Sequence, residues 1–342
     1  MRRRTQAFAF LFIVALFAAT LVGCRPQAQT VVIYTSVDQV FSEPILERFE
    51  QETGITVMPV YDVEATKTTG LVNRLIAEKR APLADVFWSG EFAQTIILQE
   101  EGVLEPYRSP NAADLPASFQ DPQGTWSGFA GRARVFIVNT DLVPEARMPR
   151  SIHDLLSPTW PGERTAIAHP LFGTTATHAA ALYATWGAEQ SRTFFEQLLD
   201  HGVQVVDGNS VVRDLVAEGQ LAFGLTDTDD ACSAVDAGAP VAVVLPDQAV
   251  GELGTLIIPN TLALIKDGPN PHNGKQLIDY LLSDEVAELL MTSGWSHVAL
   301  GETSTTAACL DGVTIRGMEV NLAAVYEQML PSKNDLTDLF VR

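Results

Sequence analysis

The stretch "VVIYTSVDQVFSEPILERFEQETGITV", residues 31–57, decides how this chain folds. Val31, Val32, Ile33 and Tyr34 form an uncharged β-branched and aromatic run, which predicts a strand covered on both faces. Val40, Ile45, Leu46 and Phe49 then recur at helical spacing, with Pro44 in the first turn and Gly54 as the stop. A second strand, "ITVMPVY", follows at once.

The pattern continues outward. "ATKTTGLVNRLIAEK" predicts a helix with Leu71, Leu75 and Ile76 on one face. "ADVFWSG" reads as a third strand and "EFAQTIILQEEG" as a third helix. Strands alternating with helices imply parallel pairing through right-handed crossovers. Ligands in such sheets sit beyond the carboxyl ends of the strands. That rule selects the loops 35–38, 62–69 and 89–92.

A second α/β unit follows. Its strands are "ARVFIVNT", "TAIAHP", "VQVVDG" and "LAFGLTD". Its helices are expected in "SIHDLLSPTWPGE", before a Pro-rich turn, and in "TTATHAAALYATWG", "TFFEQLLDHG" and "NSVVRDLVAEG". The chain returns through "VAVVLP" and "GTLIIPNTLALI", then gives helices in 271–294 and in "VNLAAVYEQML". The units join near 128–134 and again near 255–262. Two crossings predict two discontinuous lobes, two hinge strands and a cleft. The expected division is 31–131 with 259–310 for lobe 1, and 132–258 with 311–342 for lobe 2.

The beginning of the chain has another character. "MRRRTQAFAFLFIVALFAATLVGC" has a basic start, an apolar core and a small-residue ending, the layout of a secretory signal peptide over residues 1–23. "LVGC" resembles a bacterial lipobox, which implies cleavage before Cys24, lipidation of its thiol and a tether over 24–30. An ordinary signal peptide or an uncleaved anchor helix is the alternative. Either way the chain is exported, to the cell envelope or periplasm. Cys232 and Cys309 then meet an oxidising compartment, where they form a bridge or remain two buried thiols. The formal net charge is −20, and residues 1–23 hold three arginines and no acid. So acidic a protein is poorly suited to nucleic acid or an anionic membrane surface.

Together these stretches resemble the solute-binding proteins of ABC importers, in particular the ferric-ion-binding branch. The likeness is carried by residues 31–57, "ADVFWSGEFAQTIILQEEGVLEPY", "GRARVFIVN", "GTTATHAAALY" and "DGNSVVRDLVAEGQLAFGLTDTDDA". The resemblance implies a two-lobed, monomeric α/β receptor that closes on a small solute and hands it to an inner-membrane permease. It implies no catalysis.

Candidate ligand residues lie at strand-to-helix junctions. Gly173, Thr174 and Thr175 open a helix with free N–H groups and hydroxyls, a ready anion site or a plain cap. Asn209 starts another helix, and the resemblance turns the matching residue to the cleft. Lys67, Thr68 and Thr69 open a helix of the first lobe, and Thr35 and Ser36 follow its first strand. Arg132 and Arg134 alternate on one face; Arg132 is the expected anion partner, with a structural ion pair as the alternative. Asp38 and Glu91 are expected at the cleft rim, where the resemblance places metal ligands.

"FGLTDTDDA", residues 223–231, departs from the pattern. Iron-binding members carry two adjacent tyrosines after this strand. Here Asp229 and Asp230 stand in that place beside Asp227, and the chain has no adjacent tyrosine pair. Two ligand classes follow. One is a hard metal ion held by Asp38, Glu91, Asp229 and Asp230 with a synergistic anion. The other is a zwitterionic phosphonate such as 2-aminoethylphosphonate, or a phosphorylated solute, with its ammonium on the acids and its anion on the Gly-Thr-Thr turn. A secreted enzyme or a structural lipoprotein is the rival class. No Walker loop, G-x-S-x-G or H-E-x-x-H supports an enzyme.

Overall fold

The computed structural model describes residues 29–61, 69–300, 307–310 and 312–341. The expected signal peptide, Cys24, most of the tether, Lys67 and Thr68 lie outside them, as does the side chain of Thr69.

The opening stretch folds as read: β1 (Thr30–Thr35), α1 (Gln39–Thr53) and β2 (Thr56–Tyr61). Gly54 ends α1 in the left-handed conformation, φ 71°, which a side chain would strain. Next come α2 (Thr69–Glu78), β3 (Val86–Ser89), α3 (Phe92–Glu100) and the short β4 (Leu104–Glu105). β1 lies between β2 and β3, parallel to both. Val31, Ile33, Val86 and Trp88 pack against Ile45, Leu46 and Phe49 of α1 on one side of the sheet. Tyr34 and Phe87 pack with Leu71, Leu75 and Ile96 on the other. The uncharged run is therefore covered on both faces.

β5 (Trp126–Asn139) is longer than its apolar segment predicts. In the second unit follow β6 (Thr165–Ala168), α4 (Gly173–Trp186), α5 (Ala188–His201), β7 (Gln204–Val206), α6 (Asn209–Ala217), β8 (Phe223–Asp227), α7 (Thr228–Asp236) and β9 (Val241–Val244). β10 (Ile257–Ile265), α8 (Pro271–Leu281), α9 (Asp284–Thr292) and α10 (Leu322–Phe340) complete the chain. Three further details differ from expectation. "SIHDLL" gives a five-residue 3₁₀ turn rather than an α-helix. The final helix runs on through Pro331 to Phe340. The acids of "TDTDDA" open a helix, not a loop.

The strand order is β2-β1-β3-β10-β5-β8-β6-β7. Two parallel arms, β2-β1-β3 and β8-β6-β7, are joined by antiparallel β10 and β5. β5 pairs with β10 as far as Ala133 and with β8 from Arg134 onward. One strand thus serves both lobes, and its change of partner falls between the two arginines. Gly131 permits the close approach here, because a Cβ would stand 2.9 Å from the Ile258 carbonyl oxygen.

Among the described residues, no helix is long and apolar enough to cross a membrane.

Candidate functional site

The carboxyl ends of β3 and β8 and the centre of β5 bring the first turns of several helices together. In lobe 1, Asp38 and Glu91 precede α1 and α3. In lobe 2, Phe172, Gly208 and Asp227 precede α4, α6 and α7. None of these five residues caps its helix through its side chain. The first-turn N–H groups they leave give the region a positive local field at helix N-termini. Gly173 holds φ 55°, so the entry to α4 suits glycine in particular.

Arg134 is the inner hub. Its side chain is fully buried, and Nη1 donates to Asp227 Oδ1 at 2.7 Å. The same nitrogen donates to Thr174 Oγ1 and Asn209 Oδ1, each at 3.1 Å, and Nη2 donates to Thr175 Oγ1 at 3.2 Å. Thr174 donates to Asp227 Oδ2 at 2.6 Å, and Asn209 Nδ2 donates to the same oxygen at 2.9 Å. Five predicted residues or neighbours thus form one internal knot, closing α4, α6 and α7 onto β5. The hydroxyls of the Gly-Thr-Thr turn serve Arg134, Asp227 and Asn209 rather than standing free. Asp227 faces a cation, as its setting requires, and that cation is Arg134 of its own chain. His178 packs beside the knot, and burial followed by the Arg134 charge holds its pKa down near 3, so its imidazole stays neutral.

Arg132 is the outer hub, and its bonds are looser. Nη1 stands 3.4 Å from Asp229 Oδ2 of lobe 2, and Nη2 stands 3.9 Å from Glu91 Oε1 of lobe 1. Arg213 stands 3.4 Å from Asp230 Oδ1. Charge-assisted hydrogen bonds close to about 2.7–2.9 Å when well made. These pairs are therefore in reach of one another without being tightly engaged. Asp229 Oδ1 is buried and has no hydrogen-bond partner among the described residues. Burial, reinforced by the charges of Asp229 and Asp227, pushes Asp230 up to about 6. Burial also raises Glu91, with Arg132 opposing it. Among the described residues three acids and two arginines line this rim, an excess of one negative charge when all are ionised.

The other predicted residues take supporting places. Thr35 is buried, and its hydroxyl accepts from the Val37 N–H at 3.0 Å. Ser36 Oγ accepts from the Gly90 N–H at 3.1 Å and so joins the loop before α1 to the loop before α3. Asp38 is half-buried at the start of α1. Cys232 of α7 and Cys309 are joined by a disulfide with Cα atoms 5.4 Å apart.

The carboxylates of Asp227, Asp229 and Asp230 each offer an oxygen within 4.8 Å of the others, a spacing that suits a cation. A hard metal ion there would compete with Arg134, Arg132 and Arg213, each already on one of the three. No phenolate assists. Tyr34, Tyr107, Tyr183 and Tyr326 donate to Glu78, Asp279, Asp335 and Glu100. The buried hydroxyls of Tyr61 and Tyr280 have no partner among the described residues, and neither belongs to the cluster. The donor set does not fit a tyrosinate ferric centre.

Sequence reasoning favoured Arg132 and left Arg134 as its companion; their depths differ because β5 changes partner between them. It also missed Arg213 and the helical setting of the acids. The signal for the latter was present, since Asp227 precedes two acids in a first turn, a common helix opening. No comparable signal marked Arg213, which reaches the rim from the second turn of α6.

Comparison with known proteins agrees with this architecture. The family described as bacterial extracellular solute-binding protein matches residues 81–300. A protein of Haemophilus influenzae is 28% identical over 311 residues, covering 86% of this chain and 84% of its own. A Salmonella typhi protein described as a candidate 2-aminoethylphosphonate-binding periplasmic protein is 24% identical over 293 residues, 83% of each chain. The open conformation of Mannheimia haemolytica ferric iron-binding protein A superposes with a TM-score of 0.80 at 21% identity, covering 91% of this chain and 98% of that one.

Proposed function

Because the chain belongs to the bacterial extracellular solute-binding proteins, which deliver ligands to ABC permeases, we propose that it captures a small zwitterionic solute between its lobes. The solute carries an ammonium group and a phosphonate or phosphate group. The observation that carries this reading is the rim around Arg132: loosely paired acids and arginines, drawn from both lobes, with one buried carboxylate oxygen left without a donor among the described residues. The ammonium supplies that donor to Asp229, with Asp230 and Glu91 beside it. The anion pairs with Arg132 and Arg213 and meets the free N–H groups at the start of α4. A ligand of both signs offers a partner of opposite charge to the acids and to the arginines together, whereas a lone cation serves only the acids and a lone anion only the arginines.

A second reading, a hard cation with a bridging anion, is supported by the 4.8 Å carboxylate triad. Calorimetry separates the two, with 2-aminoethylphosphonate, phosphate and ferric citrate as probes. The zwitterion reading expects tight binding of the aminophosphonate. It also expects a rise in Tm, since ligand at a hundredfold over Kd adds about 2.7 kcal/mol. Ferric citrate binding with no response to the aminophosphonate would overturn it. Lobe 1 is assigned residues 31–131 and 259–310, lobe 2 residues 132–258 and 311–342, and the receptor acts as a monomer. Its anchor is the lipid on Cys24. A Cys24→Ser protein should leave the membrane fraction, and retention there would refute the anchor.

A further inference from the structure

Behind the solute rim lies a second cluster that the binding reading does not use. The Gly131 carbonyl accepts from the His297 and Val298 N–H groups, each at 3.0 Å, which fixes the segment after α9 against β5. That register places His297 beside the Cys232–Cys309 disulfide. Both sulfurs and one ring nitrogen of His297 lie within 4.8 Å of one another. The imidazole is buried, and its Nδ1 has no hydrogen-bond partner among the described residues. A cavity of about 350 Å³ opens on the group, lined by Cys232, His297, Cys309, Asp236, Met291 and Ser293.

Two cysteines and a histidine converging on a cavity, with a carboxylate in its wall, are the ligand types of a tetrahedral thiophilic site. We propose that reduction of the Cys232–Cys309 bond converts this cluster into a Cys₂His site for a thiophilic divalent cation such as Zn(II). The fourth position falls to Asp236 or to water. An exogenous dithiol breaks the S–S bond, delivering two electrons and two protons and becoming a disulfide itself. Zn(II) then displaces the two thiol protons to solvent, without change of its own oxidation state. Cys309 is half-buried rather than enclosed, so the reductant has a sulfur to attack. The cation re-ties α7, which bears Asp229 and Asp230, to the segment around residues 308–310. The cross-link that positions the acids thus has a metal-held counterpart in the reduced protein.

The test uses the full chain, oxidised or reduced with a phosphine, which takes oxygen from water and does not compete for zinc. Equilibrium dialysis should give one equivalent of Zn(II) on the reduced protein and none held comparably by the oxidised one. Co(II) in place of zinc should show thiolate-to-metal charge-transfer absorption. His297→Ala should weaken binding at least about tenfold with near-ultraviolet circular dichroism unchanged, as loss of a ligand requires. Asp229→Asn with Asp230→Asn should retain one equivalent of zinc with affinity lowered no more than a few-fold, because Asp229 reaches His297 only through its charge, which separates this site from the solute rim. Equal zinc binding before and after reduction overturns the proposal, as does a Co(II) complex without the thiolate band. A reduced protein that loses its near-ultraviolet spectrum and does not regain it with zinc overturns it too.

Discussion

Arg132 and Arg134 stand two residues apart on β5 and face the same way, yet they do different work. Around Arg134 the network is buried and dense: one carboxylate, two threonines and an asparagine meet the two terminal nitrogens of the guanidinium at 2.7–3.2 Å, while its Nε has no partner among the described residues. Around Arg132 the carboxylates stand at 3.4 and 3.9 Å, and one of their oxygens has no partner among the described residues. The first network holds three helix starts on one strand. The second is under-satisfied in the isolated protein, so a ligand has something to complete. Buried polar groups unpaired in a native structure call for an explanation, and the proposed solute would give Asp229 one.

The comparison breaks most readily at the inner hub. Arg134→Met leaves Asp227 buried without its counter-charge, and removing one partner of such a pair costs about 3–5 kcal/mol. Urea denaturation should show that loss, because α4, α6 and α7 all lose their common tie. A loss below about 1 kcal/mol would mean the knot is incidental. Arg132→Met should behave in the opposite way, changing stability by less than about 1 kcal/mol, since its pairs are partly exposed and long.

At the outer hub the expected effect is on affinity. Asp229→Asn removes the charge proposed to meet the ammonium, and hydrogen bonds to charged groups contribute about 1.5–3 kcal/mol. Calorimetry with 2-aminoethylphosphonate should therefore lose affinity on the order of 10- to 100-fold, with the Tm of the free protein nearly unchanged. Unaltered affinity would remove Asp229 from the site.

Much of this was legible in the sequence, and the reason lies in periodicity. Residues 31–57 state strand, helix and strand through apolar spacing alone, and the structure follows them closely. "TDTDDA" was harder, because acids without apolar periodicity read as a loop until the helix dipole is considered. The division of labour between Arg132 and Arg134 was not legible. Alternation on a strand sets the face of a side chain, whereas depth depends on which strand lies alongside. β5 exchanges β10 for β8 between the two positions, a tertiary fact. The convergence of Glu91 and Asp229 on Arg132 is likewise set by how the lobes pair, not by any local signal.

Proton linkage gives a smaller effect with a definite sign. Asp230 titrates near 6 in the folded protein, above the ordinary carboxylate value of 3.8. The folded state therefore binds more protons than the unfolded state between those values, and stability falls as pH rises through that window. The favourable contribution is complete below the unfolded pKa and lost above about 6. Ammonium binding has the opposite dependence, because it needs the ionised acid. Affinity for the aminophosphonate should fall as pH drops from 7 to 5. Asp230→Asn should make both profiles shallower, with Glu91, also raised by burial, keeping a share of the dependence. A pH-independent Kd in wild type would mean that Asp230 does not meet the ligand.

The smallest expected change sharpens the contrast between anion partners. Arg213 bonds to Asp214 at 2.8 Å on the helix surface and reaches Asp230 only at 3.4 Å. Its replacement by alanine should cost less than about 1 kcal/mol of stability, as for other exposed pairs. It frees Asp230 from an opposing positive charge, so the carboxyl should titrate still higher and the pH profile of binding should move upward. Affinity for phosphate-bearing probes should drop only a few-fold, about the share of an exposed pair, while Arg132→Met costs more because Arg132 stands between both lobes. Equal losses from the two replacements would show that the anion is held by the rim as a whole. A greater loss from Arg213 would move the anion away from the hinge and toward the start of α6.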